Sequence, residues 1–182
     1  MDEQHHKLLE EGRVEELIKI FEKELEANPN DYKSKKDLAL VYGMGGRLKD
    51  SIRLYEELLS VKPDDSNALV NLGLDYHKIG ENDKAIKTLE RVVEQAKTKN
   101  MEPATLSSSH TNLGVIYESM LDFDRAVGEY KKAISTYSDN KTATKYLQKL
   151  KELGSPDRGI FRTRVSSEDK KVTEIWYYND AE

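Results

Sequence analysis

Residues 68–90, ALVNLGLDYHKIGENDKAIKTLE, carry the pattern from which the fold is predicted. It places Leu72-Gly73 and Tyr76 before Gly80, and Ala85 and Leu89 after it. Residues of the same kinds recur in earlier segments at steps of 34, and the sets are Gly12, Gly46 and Gly80; Phe21, Tyr55 and Leu89; Pro29 and Pro63; Leu38 and Leu72; Tyr42 and Tyr76. A further copy follows after a step of 41 and holds Leu113, Gly114, Tyr117, Ala126, Tyr130 and Ala133.

A fixed period in this range is typical of a solenoid, in which each unit buries its apolar face only against its neighbours. Apolar spacing, turn glycines and Pro-containing stops predict helices, and their expected ranges are 2–11, 13–27, 31–44, 48–60, 65–78, 82–98, 102–120, 123–137 and 140–153. The fold class is therefore predicted to be all-α.

The repeating residues resemble the tetratricopeptide repeat, whose first helix carries Leu-Gly and Tyr and whose second carries Ala, an aromatic residue and Ala, followed by Pro. The resemblance covers roughly residues 1–153 and implies a right-handed superhelix of about four helix-turn-helix repeats. We assign the repeats to residues 1–31, 32–65, 66–106 and 107–140, a capping helix to 140–153, and a separate tail to 154–182.

Small residues mark where the two helices of a repeat are expected to cross. Ala39, Gly73 and Gly114 occupy this position, and they let the helix backbones approach closely. Gly46 and Gly80 follow a first helix, where a positive φ is expected to end it. The longer step before the fourth repeat lies between Gln95 and Ser108, and it predicts either two helices longer by about a turn each or a loop.

The amino-acid composition excludes several classes of partner and site. About a third of the residues are charged with both signs interleaved, the formal net charge is −5, and no basic stripe is visible, so a nucleic-acid partner is not expected. The absence of cysteine excludes disulfides and thiolate metal sites. No apolar run predicts membrane insertion, and residues 1–6 lack the basic and apolar parts of a secretory signal, so we expect a cytoplasmic protein.

Catalytic chemistry is not indicated at any spacing in the chain. His77 and His110 fall on neighbouring first helices, but no third ligand accompanies them, so a metal pair is not predicted. Gly43-Met44-Gly45-Gly46 lacks the preceding strand and the Lys-Ser/Thr of a phosphate loop, and a helix end explains it. We predict a protein without enzymatic activity, cofactor or metal.

The resemblance implies a binding surface, because first helices line the concave side of such superhelices. The residues transferred by position are Lys33, Lys36, Leu40, Met44, Asn67, Val70, Asn71, Leu74, Lys78, Ser108, Thr111, Asn112, Val115 and Ser119. Their mix of apolar, amide and lysine side chains predicts an adaptor or scaffold that binds a peptide or helix of a partner protein. The family's two-lysine, two-asparagine clamp for chaperone tails is not predicted, because Leu40 replaces one Asn and Ser108 and Asn112 replace its Lys and Arg.

The tail follows a different pattern. Residues 160–165 and 172–178 are rich in β-branched and aromatic residues and are joined by a polar stretch, which predicts a β-hairpin. An isolated hairpin is marginal in water, so it needs a surface to pack on. The alternatives are self-assembly into a homo-oligomer or occupation of the chain's own groove, and the candidate contact residues are Phe161, Ile175, Trp176, Tyr177 and Tyr178.

Overall fold

The computed structural model describes residues 2–153, 160–165 and 172–178. The chain divides into two compact units, residues 1–98 and 99–182. The first unit contains α1 (Glu3–Glu10), α2 (Val14–Ala27), α3 (Tyr32–Met44), α4 (Leu48–Val61), α5 (Ser66–Lys78) and α6 (Asn82–Ala96). The second contains α7 (Pro103–Ser119), α8 (Phe123–Thr136), α9 (Lys141–Leu153), β1 (Ile160–Val165) and β2 (Val172–Tyr178). Each helix begins and ends within two residues of its predicted bounds.

Consecutive helices pack against one another in the first unit. Each first helix contacts the second helix of its own repeat, and that second helix contacts the first helix of the next repeat. The largest side chains that are fully buried here include Phe21, Tyr55, Leu69 and Leu89. Phe21, Tyr55 and Leu89 belong to the repeating set, so residues that recur in the sequence form part of the core. The predicted all-α solenoid class is confirmed.

The glycines after the first helices have the positive φ values that the sequence predicts. Gly46 and Gly80 have φ values of 79° and 83°, and Gly12 has a φ of 70°. In the fourth repeat the same position holds Leu121, which adopts a φ of 62°. A left-handed conformation is unfavourable for leucine, because its Cβ approaches the following carbonyl. Leu121 is therefore a strained residue that the repeat pattern does not predict.

The small residues at the helix crossings are also in close contact. A Cβ added to Gly73 would lie 2.7 Å from Leu89 Cγ, and one added to Gly114 would lie 2.5 Å from Tyr130 Cε1. Both distances are shorter than van der Waals contact, so a larger residue requires its neighbours to move. The predicted close crossing is confirmed, with the side chain at the aromatic position of the second helix as the main contact.

The inserted residues lengthen one helix rather than two. The helix α7 has 17 residues, compared with 13 in α3 and α5, and it begins at Pro103. The helix α6 has only 15 residues, compared with 14 in α2 and α4, so the prediction of an extra turn there was wrong. The chain leaves α6 because the N–H groups of Lys97 and Thr98 bond three residues back, to Glu94 and Gln95, and close a tight turn.

The residue that precedes a first helix ties that helix to the preceding first helix. Before α5, Asp65 accepts hydrogen bonds from Tyr32 Oη and Lys36 Nζ, both at 3.0 Å. Before α9, the amide of Asn140 donates to Ser107 Oγ at 2.7 Å and to Thr111 Oγ1 at 2.8 Å. Both residues also accept a backbone N–H of the helix they start. These contacts fix neighbouring repeats in register in each unit.

The strands β1 and β2 pair antiparallel, with Ile160 opposite Tyr178 and Thr163 opposite Ile175, and the register shifts between Arg164 and Val165. The polar stretch between them and the residues that join them to α9 lie outside the described part. The contacts of Phe161, Trp176 and the neighbouring aromatic side chains also lie outside it. Self-assembly or groove occupation by the tail therefore stays a prediction.

Candidate peptide-binding faces

The first helices of the second and third repeats, α3 and α5, carry a mixed apolar and polar surface, here called the α3–α5 face. On α3 it consists of Lys33, Lys36, Leu40 and Met44, and on α5 of Asn67, Val70, Asn71, Leu74 and Lys78. Spacings of three or four residues place these side chains on one side of each helix. The two helices contact each other, so the two rows are neighbours.

Exposure varies across the α3–α5 face. Met44 is 52% exposed, whereas Val70 is only 9% exposed and contributes mainly to packing. Leu40 and Leu74 are half-buried, so part of each side chain is available to a ligand. The face therefore offers an apolar strip in which Leu40, Met44 and Leu74 remain accessible.

Two lysines of this face already have partners. Lys36 pairs with Asp65 at 3.0 Å, and Lys78 Nζ donates to the carbonyl of Gly43 at 3.2 Å and lies 3.3 Å from Asp75 Oδ1. Burial would raise the pKa of Asp65, but the hydrogen bonds that it accepts, including that from Lys36, lower it overall. These lysines therefore connect α3 to the start and end of α5, while Lys33 stays exposed.

A buried carboxylate beneath this surface is not predicted by the sequence pattern. Asp75 is 3% exposed, and its Oδ2 lies 2.6 Å from Ser51 Oγ. Ser51 Oγ is also 2.7 Å from the carbonyl oxygen of Ala39, so its single proton bonds one of the two oxygens at a time. A Cβ on Gly43 would lie 3.0 Å from both carboxylate oxygens. The carboxylate fits only because residue 43 is a glycine.

One buried hydroxyl adjoins the amide of Asn71. Tyr55 is fully buried, and its Oη has no hydrogen-bond partner within the described chain. Burial raises the pKa of Tyr55, with a smaller contribution from nearby Asp75. The Asn71 amide is close enough to oppose this shift, although it does not reach hydrogen-bond geometry. The Asn71 side chain therefore borders both the core and the α3–α5 face.

The second unit carries the corresponding residues on α7. Ser108 and Ser119 are exposed, but their hydroxyls donate to the carbonyls of Ala104 and Ile116 in the same helix. Thr111 is buried, and its hydroxyl oxygen accepts a hydrogen bond from the Asn140 amide, so little of the Thr111 side chain is available to a ligand. The half-buried residues available on this helix are Asn112 and Val115.

His77 and His110 are each engaged in a hydrogen bond inside their own unit. His77 Nδ1 lies 2.8 Å from Asn82 Oδ1, and His110 Nδ1 lies 2.6 Å from Glu129 Oε2. His5 is buried against Phe21, with ring centroids 4.7 Å apart. Within the residues that the structure describes, no group of three or more His, Asp or Glu side chains could hold a metal ion. Over the same residues, no helix has the length and apolar character needed to cross a membrane.

Paired helices with glycine turns, stacked through a shared core and with exposed first-helix faces, define a helical-repeat protein. Residues 64–139 match the family model of the tetratricopeptide repeat. This segment is therefore similar to the tetratricopeptide repeat, and the predicted resemblance is confirmed.

Solved structures with the same fold support this assignment. One, described as MamA, is 24% identical, with 84% of this chain and 94% of that chain covered and a TM-score of 0.61. Pseudomonas aeruginosa pilF is 17% identical, with coverages of 85% and 68% and a TM-score of 0.69. MamA from Desulfovibrio magneticus RS-1 is 19% identical, with coverages of 82% and 90% and a TM-score of 0.60. At these identities the likeness concerns the fold alone. A search of curated protein sequences finds no match.

Proposed function

We propose that this protein is a non-enzymatic adaptor that binds a short peptide or an amphipathic helix of a partner protein on its first-helix faces. The tetratricopeptide fold supports an interaction scaffold in general. The observation that carries the finer proposal is the α3–α5 face, where Leu40, Met44 and Leu74 remain accessible beside amide and lysine side chains.

The composition of this face suits an extended or helical ligand. Apolar side chains spaced by three or four residues can contact the alternating or i, i+3, i+4 anchors of such a ligand. The amides of Asn67 and Asn71 can donate to and accept from a peptide backbone. Affinity would come from the apolar strip, and orientation from the amides.

Substituting an exposed residue tests the proposal without disturbing the core. Peptides selected from a random display library against the wild-type protein are labelled, and their binding is measured by fluorescence anisotropy. Met44→Glu introduces a charge into the α3–α5 face at a 52% exposed position, so we expect a loss of affinity of at least about tenfold. Leu74→Glu, at the adjoining half-buried position of α5, should have the same effect.

Val61→Glu is the matched control. Val61 is an exposed apolar residue of the same unit, 69% exposed at the end of the second helix α4, so its replacement makes the same chemical change away from the face. The proposal predicts unchanged peptide binding for this variant. Selected peptides that bind the Met44→Glu and Leu74→Glu variants as tightly as wild type would show that the ligand binds elsewhere.

A further inference from the structure

The solvent side of α9 carries a row of lysines. Lys141, Lys145 and Lys149 follow one another at intervals of four, which brings their side chains together on one side of the helix, and all three are exposed. Like charges at this spacing repel one another, and Lys141 is the first residue of the helix, where the helix dipole disfavours a cation. The row therefore lowers the stability of α9 taken alone.

Only one of these lysines has a carboxylate partner in the described part of the chain. Lys149 Nζ lies 2.9 Å from Glu118 Oε1, whereas no ion pair is formed there by Lys141 or Lys145. The basic character extends to α8, since residues 131–151 contain six lysines and a single acidic residue, Asp139. This end of the second unit is a positively charged surface, here called the basic α9 surface.

The opposite charge is concentrated at the start of the first unit. Residues 1–31 contain ten acidic and four basic residues, most of them on α1 and α2. Arg13 pairs with Glu11 and Glu16. The remaining exposed glutamates that form no ion pair with a described residue are Glu3, Glu10, Glu15, Glu24 and Glu26. This acidic α1–α2 surface and the basic α9 surface belong to the same chain, and each carries charged side chains that form no ion pair with a described residue of the same unit.

We propose that the basic α9 surface of one copy binds the acidic α1–α2 surface of a second copy. Complementary charges steer such an encounter and fix its partner. A nucleic-acid partner fits less well, because the chain as a whole carries a formal net charge of −5 and would be repelled. The contact joins two different surfaces, so each copy of a pair keeps its other surface free and further copies can add.

Charge reversal at each surface tests this association in the full chain. Lys141→Glu with Lys145→Glu reverses the charge of the two α9 lysines that form no ion pair with a described residue, and it leaves the Lys149 contact intact. Glu10→Lys with Glu15→Lys reverses the charge of two such glutamates on α1 and α2. Sedimentation velocity over a range of protein concentrations, at about 0.02 M and about 0.5 M salt, measures association, because the higher salt screens charges within a few ångströms. Wild type should associate at low salt and dissociate at high salt.

Each reversed variant alone should lose association at least about tenfold, because the substituted positions then face residues of like charge. An equimolar mixture of the two reversed variants should associate again, since the glutamates introduced on α9 then meet the lysines introduced on α1 and α2. Lys49→Glu with Lys87→Glu, at exposed positions of α4 and α6, makes the same change in net charge and should associate like wild type. Circular dichroism checks that every variant keeps its helical content.

Three results would overturn the proposal. The first is a wild-type chain that sediments as a monomer at every concentration at low salt. The second is a mixture of the reversed variants that stays monomeric, and the third is a control variant that loses association as fully as the α9 variant. Peptide binding to the α3–α5 face is independent of all three, so either proposal can fail without the other.

Discussion

The crossing of α7 and α8 at Gly114 gives a sharp test of packing in the second unit. A Cβ at this position would lie 2.5 Å from Cε1 and 2.6 Å from Cδ1 of Tyr130. The Tyr130 ring is fully buried, stacks on Tyr146 with centroids 5.5 Å apart, and donates its hydroxyl to Glu118 at 2.9 Å. The ring is therefore held on several sides and cannot turn away from an added methyl group.

Gly114→Ala should lower the stability of the protein. Overpacking against a held ring costs about 3 kcal/mol, at the upper end of the usual range. Alanine recovers about 1 kcal/mol of this through its better helix propensity. The free energy of unfolding should fall by about 2 kcal/mol, which corresponds to a melting temperature lower by about 4–8 °C in a chain of this length.

Gly128→Ala is the matched control, because the same substitution is made in α8 of the same repeat. Nothing lies within 4 Å of a Cβ added there, so only the helix propensity changes, and stability should rise by about 0.5–1 kcal/mol. Urea unfolding followed by circular dichroism measures both variants. If Gly114→Ala were as stable as wild type while Gly128→Ala behaved as expected, the two helices would not be in close contact at Gly114.

Three further changes test individual residues. Leu121→Gly should be more stable than Leu121→Ala by about 1 kcal/mol in thermal unfolding, because both lose the side chain and only glycine relieves the φ of 62°. Ser51→Ala should destabilise by about 1–3 kcal/mol because it leaves the buried Asp75 carboxylate short of a donor, and the double variant Ser51→Ala with Asp75→Val should recover most of this loss in urea unfolding. Burial would raise the pKa of Glu129, but hydrogen bonds, first from His110, lower the pKa below 4.5 overall. The ionised Glu129 carboxylate therefore stabilises the folded state above pH 4.5, and this stabilisation is lost as the pH falls through the lowered pKa. Thermal melts from pH 6 to pH 3 should therefore show a smaller loss for Glu129→Gln than for wild type.

Much of the fold could be predicted because the repeat encodes it locally. The spacing of apolar residues and turn glycines sets the helix bounds, and the small residues mark the crossings at Gly73 and Gly114. The residues of the α3–α5 face followed from the family's geometry. The exposed fraction of each side chain could not be predicted in this way. Val70 is buried and Met44 is exposed because their burial depends on the neighbouring helix and not on the position within the repeat.

The sequence pattern missed the features in which one repeat departs from the others. Leu121 occupies the position of the turn glycine of the earlier repeats, and the residues around it do not predict a positive φ. Asn140 bonds Ser107 and Thr111 across 33 and 29 residues, the same separations at which Asp65 bonds Tyr32 and Lys36. The residue types differ between the two interfaces, so a pattern of shared residue types does not reveal this contact.

Asp75 is a polar residue at a position that is apolar in other repeats, and its contact influences which repeats can stack on one another. The positions that correspond to Asp75 in the second and fourth repeats are Val41 and Ile116, both fully buried and apolar. Repeats with similar cores could stack in a wrong order, since the burial of apolar surface is not directional. The second repeat supplies Ser51 as a donor to this carboxylate and Gly43 as space beside it, whereas the residues that correspond to Ser51 elsewhere are Leu17, Ala85 and Ala126. Stacking the third repeat on any of these would remove the Ser51 donor and leave Lys78 of the same helix as the remaining partner, at a cost of about 1–3 kcal/mol. We infer that Asp75 makes the stacking of the third repeat on the second selective, and that this selectivity positions α3 beside α5 and so forms the α3–α5 face.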